Sequence, residues 1–242
     1  GEVRIYQLND KVVKLYSSIP DSDSTAEQKV SRLLSKKLKI EGLCLPEKLL
    51  YDEEKRFRGY VMSFAPGKQM KTSVFGKNRL EKYFPKWTRI DLCDLALTFL
   101  RKVEQLHRKN ILIGDINPTN IHVLSPREIY LIDTDSFQVD EFPCPVGTDY
   151  FTAPELQNIS FKNHPRQKEH EYYALATLVF MIFFPGKSPY AKIGGNSPLE
   201  NIDEGEFSYP FGSNANYKAP KGPWEYIWKD LTYELKKTFY LT

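Results

Sequence analysis

Strand-like patterning fills the first 64 residues of this 242-residue chain, and from Pro66 onward apolar residues recur at helical spacing instead. Strands followed by helices read as an α+β fold. Val3 to Leu8 and Lys11 to Tyr16 flank an Asn9-Asp10 turn, and Gly59 to Phe64 follows the charged segment from Asp52 to Arg58. One helix interrupts them: Ser24-Thr25-Ala26-Glu27 has the form of a capping box, and Val30, Leu33, Leu34 and Leu38 follow at helical spacing. In the second part, Thr88 to Lys109 carries a wide apolar face that includes Leu92, Leu95, Phe99 and Leu106. Strands around Ile121–Val123 and Ile129–Ile132, parted by Ser125-Pro126, form an expected hairpin bracketed by Asn120 and Asp133. A buried helix is expected from Glu169 to Phe184 and a last helix from Trp224 to Phe239.

With 41% hydrophobic and 14% aromatic residues, the chain can bury a substantial core as one large domain or two lobes. A net charge of +3, with basic residues scattered among acids, argues for neither nucleic acid nor membrane as partner. Lys36-Lys37-Leu38-Lys39 reads as a solvated helix face. Cys44, Cys93 and Cys144 lie far apart and show neither a disulfide framework nor a zinc spacing, which fits a reducing cytoplasm. The longest apolar stretch, Ala174 to Phe184, is too short to span a bilayer.

The chemistry concentrates in Gly114-Asp115-Ile116-Asn117-Pro118-Thr119-Asn120 and in Asp133, which ends the apolar run Ile129-Tyr130-Leu131-Ile132. Phosphoryl transfer needs a group to orient the attacking hydroxyl and oxygen ligands to hold Mg²⁺ against nucleotide phosphates. Asp115 suits the first task; Asn120 and Asp133 suit the second. Each has a bland alternative, since Asp-x-x-Pro is a common turn, Asn120 is a turn amide and Asp133 caps a strand end.

The order of parts resembles the protein kinase superfamily. Val12-Val13-Lys14 is similar to the third-strand lysine motif, Asp115-x-x-x-x-Asn120 to the catalytic loop and Asp133 to the metal-binding aspartate. Gly147-Thr148-Asp149-Tyr150-Phe151-Thr152-Ala153-Pro154-Glu155 is similar to the end of an activation segment. More narrowly, Ile132-Asp133-Thr134-Asp135-Ser136-Phe137 followed by Cys144-Pro145-Val146-Gly147-Thr148 resembles a bacterial group of kinase-like proteins. Members of that group are often linked to helix-hairpin-helix modules or encoded beside phosphatase and von Willebrand-type partners.

The resemblance implies a two-lobed fold, with residues 1–64 as a small β-rich lobe with one helix and 65–242 as a larger, mainly helical lobe. It implies that the first strand and most of the Gly-rich loop precede residue 1, with Gly1-Glu2-Val3 as the end of that loop, and that the last helix follows residue 242. It implies ATP, Mg²⁺ or Mn²⁺ and a Ser/Thr protein substrate. Lys14 would place its charge on the α/β-phosphates, with Glu27 as the helix carboxylate that pairs with it; the competing role of Glu27 is the capping box. The base would lie against Val3 and Val12 above and His122 beneath, with the linker Met62-Ser63-Phe64-Ala65 alongside and Met62 as gatekeeper. Thr148 would bond near Asp115 and shape the acceptor site, and Glu155 would be structural.

Three positions depart from the family pattern. Ile113-Gly114 stands for the usual His-Arg, Asn117 for the lysine that neutralises the transferring phosphate, and Thr134-Asp135 for Phe-Gly. Asp135 reads as a turn or cap residue, with a second metal carboxylate as the alternative. Two further functions stay open. The Asp115 loop also resembles that of aminoglycoside and choline kinases, and the departures also fit a nucleotide-binding pseudokinase that recruits a partner.

Overall fold

The computed structural model describes residues 3–17, 25–162, 164–194, 196–212 and 218–242. Gly1, Glu2 and Ser24, to which the sequence assigns a phosphate-loop end and a helix cap, lie outside these residues.

Strands β1 (Val3–Leu8), β2 (Lys11–Tyr16), β3 (Pro46–Tyr51) and β4 (Phe57–Ser63) form one antiparallel sheet in the order β1-β2-β4-β3. Leu8 opposite Lys11 closes the two-residue turn, where Asn9 takes a left-handed conformation that an asparagine tolerates. Helix α1 (Thr25–Ser35) packs on β3, and Val30 joins Val12, Phe57, Tyr60 and Met62 in an apolar cluster under the sheet. It stops at Ser35, with Lys37 left-handed just beyond, so the basic run lies past the helix rather than on its face.

After Pro66 come β5 (Lys68–Gln69), α2 (Met70–Ser73), α3 (Lys77–Tyr83) and α4 (Arg89–His107), of which only the last was individually legible. A capping box starts α4, with the Asp91 carboxylate accepting from Thr88 N at 2.6 Å and Thr88 Oγ1 at 2.8 Å. Left-handed Asn110 then turns the chain into β6 (Ile111–Leu112) and the Asp115 loop. The expected hairpin is present as β7 (Ile121–Ser125) and β8 (Glu128–Leu131), with β5 added at the edge; β6 pairs instead with β9 (Gln138–Val139).

Helix α5 (Lys168–Phe183) is apolar nearly all round and packs on α4 in the main core, which includes Leu95, Phe99, Leu106, Leu178 and Ile182. A short α6 (Pro198–Asp203) follows. The single last helix expected from Trp224 to Phe239 is instead two, α7 (Pro223–Asp230) and α8 (Tyr233–Leu241). Thr232 interrupts it by accepting from Leu235 N at 3.3 Å as a new N-cap. Both pack into an aromatic cluster with Phe180, Phe184, Phe207 and Tyr209. The architecture is α+β, a small antiparallel sheet with several helices. Among the described residues no helix is long and apolar enough to cross a membrane.

Candidate functional site

The β7–β8 pairing sets the metal-type residues side by side. Ile132 N donates to Asn120 O at 3.0 Å, so Asn120 and Asp133 leave the hairpin at neighbouring positions. Asp133 adopts φ 60°, ψ 34° and opens a 3-10 turn, Thr134–Ser136. Thr134, fully buried, donates to Cys44 O at 2.9 Å and anchors that turn below the sheet.

From β2, Lys14 reaches this turn. Its Nζ donates to Asp133 Oδ1 at 2.5 Å and to Asp135 Oδ1 at 2.7 Å, and Asp135 also accepts from Tyr16 at 2.7 Å and Tyr60 at 2.5 Å. Burial works against the Lys14 ammonium, but the Asp135 and Asp133 carboxylates outweigh it and hold its pKa above the ordinary lysine value. For Asp135, burial likewise raises the pKa, and Lys14 with the two phenols reverses that into a net lowering. Asp133 differs from Asp135 in access: its side chain is 36% exposed against 11%, and its Oδ2 has no hydrogen-bond partner among the described residues. A carboxylate oxygen and the amide oxygen of Asn120 suit a hard divalent cation.

Glu27 does not hold Lys14. It accepts from Tyr51 Oη at 2.8 Å, and the carboxylates on Lys14 come from the 3-10 turn instead. Helix α1 meets that turn through Lys29, whose Nζ donates to Ser136 O and Pro143 O, both at 2.9 Å. Burial pushes the Lys29 pKa down to about 8, with Cys144, Asp135 and Asp133 opposing it.

Around Asp115, Thr148 Oγ1 donates to Asp115 Oδ1 at 2.8 Å, and Asn117 Nδ2 donates to Thr148 Oγ1 at 2.8 Å. The Asn117 oxygen accepts from Thr119 N and Oγ1, so its amide braces the loop at both ends. Burial raises the Asp115 pKa; the Thr148 bond and nearby Arg166 pull it down and the Asp133 charge pushes it up. Below the loop, buried Glu171 of α5 accepts from Gly114 N at 2.7 Å and bonds His107 at the end of α4.

Cys144 packs against Gly114, and Arg166 lies just behind it. The Arg166 Nη1 and Nη2 donate to Cys144 O at 3.0 Å and Val146 O at 2.7 Å, and its guanidinium stacks on Phe161 at 3.7 Å. A Cβ on Gly114 would stand 3.4 Å from Nη1. Arg166 thus holds two backbone carbonyls of the segment that leads to Thr148. Glu155 is 61% exposed, with His170 Nε2 4.0 Å away.

The nucleotide-type residues are spread over the sheet and the linker after it. Val12 and Met62 are buried and face each other across β2 and β4, whereas Val3 sits on the edge strand and is exposed. Ser63 donates to Glu47, and Phe64 N donates to Asp10 O at 2.8 Å, which removes one linker donor. Among the described residues neither Ala65 N nor Phe64 O has a hydrogen-bond partner. His122 turns its Nδ1 to Ala65 O at 3.2 Å, tying β7 to the linker, and burial lowers its pKa. Sequence reading missed Tyr16, Tyr60, Lys29, Arg166 and Glu171 and assigned Asp135 to a turn. Of these, only Asp135 had a local signal, its place two residues after Asp133.

No family model matches the chain. Sequence homology at 25 to 26% nevertheless supports a protein kinase-like family, with which the α+β architecture is compatible. The relatives are the protein named Protein kinase YegI in Escherichia coli O157:H7, 26% identical over 235 residues, and the protein of the same name in Escherichia coli strain K12, 25% identical over 235 residues. Each alignment covers 92% of this chain but 36% of the relative, so the chain spans little more than a third of the curated proteins it matches.

Proposed function

We propose that this chain is an ATP-dependent kinase domain that phosphorylates Ser or Thr hydroxyls of a protein substrate. Two kinase-named relatives support the reaction class. The observation that carries the reading is the 2.8 Å bond from Thr148 to Asp115. It joins the Gly147-to-Glu155 segment, which in the resembled family shapes the acceptor site, to the carboxylate that would orient the hydroxyl.

In this reading residues 1–64 and 65–242 form two lobes about the nucleotide. Val3, Val12 and Met62 would line the base from above, His122 from beneath, and Ala65 N with Phe64 O would bond its edge. Lys14 would neutralise the α/β-phosphates. Asn120 and Asp133 would hold Mg²⁺ or Mn²⁺, which when bound stabilises charge on the phosphates. Asp115, held by Thr148, would orient the acceptor hydroxyl and receive its proton. A cytoplasmic site of action and a phosphatase or von Willebrand-type partner belong to the same proposal.

Transfer of labelled phosphate from ATP to a general protein acceptor tests it. The wild-type chain should transfer in the presence of Mg²⁺ or Mn²⁺, and Asp115→Asn and Asp133→Asn should each reduce transfer by at least about a hundredfold. Undiminished transfer by Asp133→Asn would remove the metal assignment. One observation favours a second reading, a nucleotide-gated binding module: Asn117 stands where a lysine would meet the transferring phosphate, and its amide is committed to Thr148 and Thr119. Thermal stabilisation by ATP without transfer under either metal would establish that reading.

A further inference from the structure

We infer that the cleft beside the Asp115 loop selects acidic segments of a protein acceptor, an inference that rests on the protein kinase reading above. The cleft measures about 540 Å³ and shares Asn117 and Thr148 with the site. Phe75, Phe151, Met181 and Pro185 give it apolar walls, and among the described residues its charged lining is Lys71 and Arg79, with no carboxylate.

The Lys71 backbone and the Arg79 guanidinium are held next to the reacting loop. Lys71 N donates to Pro118 O at 3.1 Å, Gln69 Nε2 donates to Thr119 O at 2.9 Å, and Arg79 Nη1 donates to Lys71 O at 3.1 Å. The start of α2 is thereby pinned to the Asp115 loop and carries Lys71 with it, while Arg79 of α3 closes over Lys71.

Their charges are uncompensated. Lys11, Lys36 and the covered Lys192 spend theirs locally, on Glu47, Asp140 and Glu206, whereas these two do not. Lys71 and Arg79 are exposed and have no carboxylate within ion-pair distance among the described residues, and Glu81, an acid on the same helix as Arg79, is engaged by Lys77. Two unpaired cations at the mouth of an apolar cleft attract an anionic segment that also has side chains to bury. A small free anion would gain nothing from the apolar walls, so the geometry favours an acidic peptide over an isolated phosphate.

Fluorescence anisotropy with labelled Ser-containing peptides tests the inference whether or not phosphate is transferred. One peptide carries Glu around the serine, a second carries Ala and a third carries Lys. Wild-type protein should bind the Glu peptide roughly five- to tenfold more tightly than the Ala peptide, with the preference fading in high salt. Charge reversal by Lys71→Glu with Arg79→Glu should transfer the preference to the Lys peptide, and a variant that remains folded by circular dichroism yet keeps the acidic preference would overturn the inference. Equal binding of all three peptides overturns it too, as does competition by inorganic phosphate that abolishes binding of the Glu peptide at millimolar levels. Loss of transfer to every acceptor with acidic binding intact would sink the kinase reading and leave the cleft assignment standing.

Discussion

Lys14 Nζ lies 2.7 Å from Asp135 Oδ1, and both side chains are nearly closed to solvent, 8% and 11% exposed. The carboxylate that fixes this lysine therefore comes from the turn that carries Asp133, not from α1. Tyr16 and Tyr60 complete the shell, so three donors converge on one aspartate. Helix α1 contributes a cation instead: Lys29 binds carbonyls at Ser136 and Pro143, on either side of β9. A movement of α1 would disturb the segment leading to Thr148 before it disturbed Lys14. Asp135 is thus a positioning residue for Lys14 in the proposed reaction.

Asp135→Asn should destabilise the fold by about 3 kcal/mol, because it removes the buried countercharge and leaves Lys14 only the more exposed Asp133. Asparagine keeps the shape but one acceptor only, so the loss reads the charge together with one hydrogen bond from Lys14, Tyr60 or Tyr16. Glu27→Gln should cost no more than about 1 kcal/mol, as expected for a surface carboxylate. Urea denaturation of the three proteins distinguishes the two carboxylates; equal losses would return the Lys14-pairing role to Glu27.

Lys29 predicts a pH dependence opposite to that of a salt-bridged lysine. Burial sets its folded pKa near 8, below the ordinary 10.5, so in the folded chain the charged form is the costly one. Between these values the unfolded chain binds more protons, and stability rises with pH. Below about pH 8 both states are protonated and the full cost persists, on the order of 3 kcal/mol. Tyr16 and Tyr60, whose pKa values are raised, act in the other direction above pH 10 but do so equally in a Lys29→Met variant. Melting temperatures of wild type and Lys29→Met at pH 7.5 and 9.5 should differ in favour of wild type at the higher pH. A constant difference would show that Lys29 does not titrate in this window.

Periodic elements were legible in the sequence and long-range side-chain geometry was not. Strands β1 and β2 match their expected bounds, and α4 and α5 lie within two residues of theirs, because each repeats its apolar pattern over at least one full face. The neighbouring placement of Asn120 and Asp133 was legible because both flank a hairpin whose two strands carry a local pattern. Arg166 was not, since its meaning depends on which backbone carbonyls of a distant segment, Cys144 O and Val146 O, its guanidinium reaches. Asp135 lies in a turn, as read, but the 3-10 turn after left-handed Asp133 aims its side chain inward onto Lys14, and no periodicity reports that direction. Thr232 had the composition of an N-cap, but the apolar residues on both sides of it preserve a helical pattern that hid the break.

Gly114→Ala should be far more damaging than a glycine-to-alanine change elsewhere. Gly114 holds φ +75°, and an added Cβ would meet Cys144 Sγ at 2.7 Å and its Cβ closer still, with Arg166 Nη1 at 3.4 Å. The left-handed backbone and the forced repacking together should cost about 3 kcal/mol. Gly205→Ala is the control, because Gly205 is also left-handed at φ +65° but has nothing within 4 Å of the added carbon; its cost should stay near 1 kcal/mol. Equal losses in the two variants, measured by chemical denaturation, would mean that the Cys144–Arg166 packing around the loop is soft.

Thr148 should set the acid limb of the proposed transfer reaction. Asp115 must be ionised to receive the acceptor proton, and burial already raises its pKa above the ordinary carboxylate value. Among the groups that restrain this rise, the Thr148 hydroxyl is the largest, ahead of the Arg166 charge. Thr148→Ala removes a hydrogen bond to the ionised form and makes ionisation harder. The pH below which kcat/KM falls should therefore move upward in Thr148→Ala, and Thr148→Ser, which keeps a hydroxyl, should restore it. A merely structural role for Thr148 would lower kcat/KM at all pH values without moving the limb. The profile should be taken with ATP saturating and the acceptor well below KM, so that it reports Asp115 of the ATP-bound enzyme before the acceptor binds. An acid limb that stays at the wild-type pH in Thr148→Ala would detach Thr148 from the proton transfer and leave it only a part in shaping the acceptor cleft.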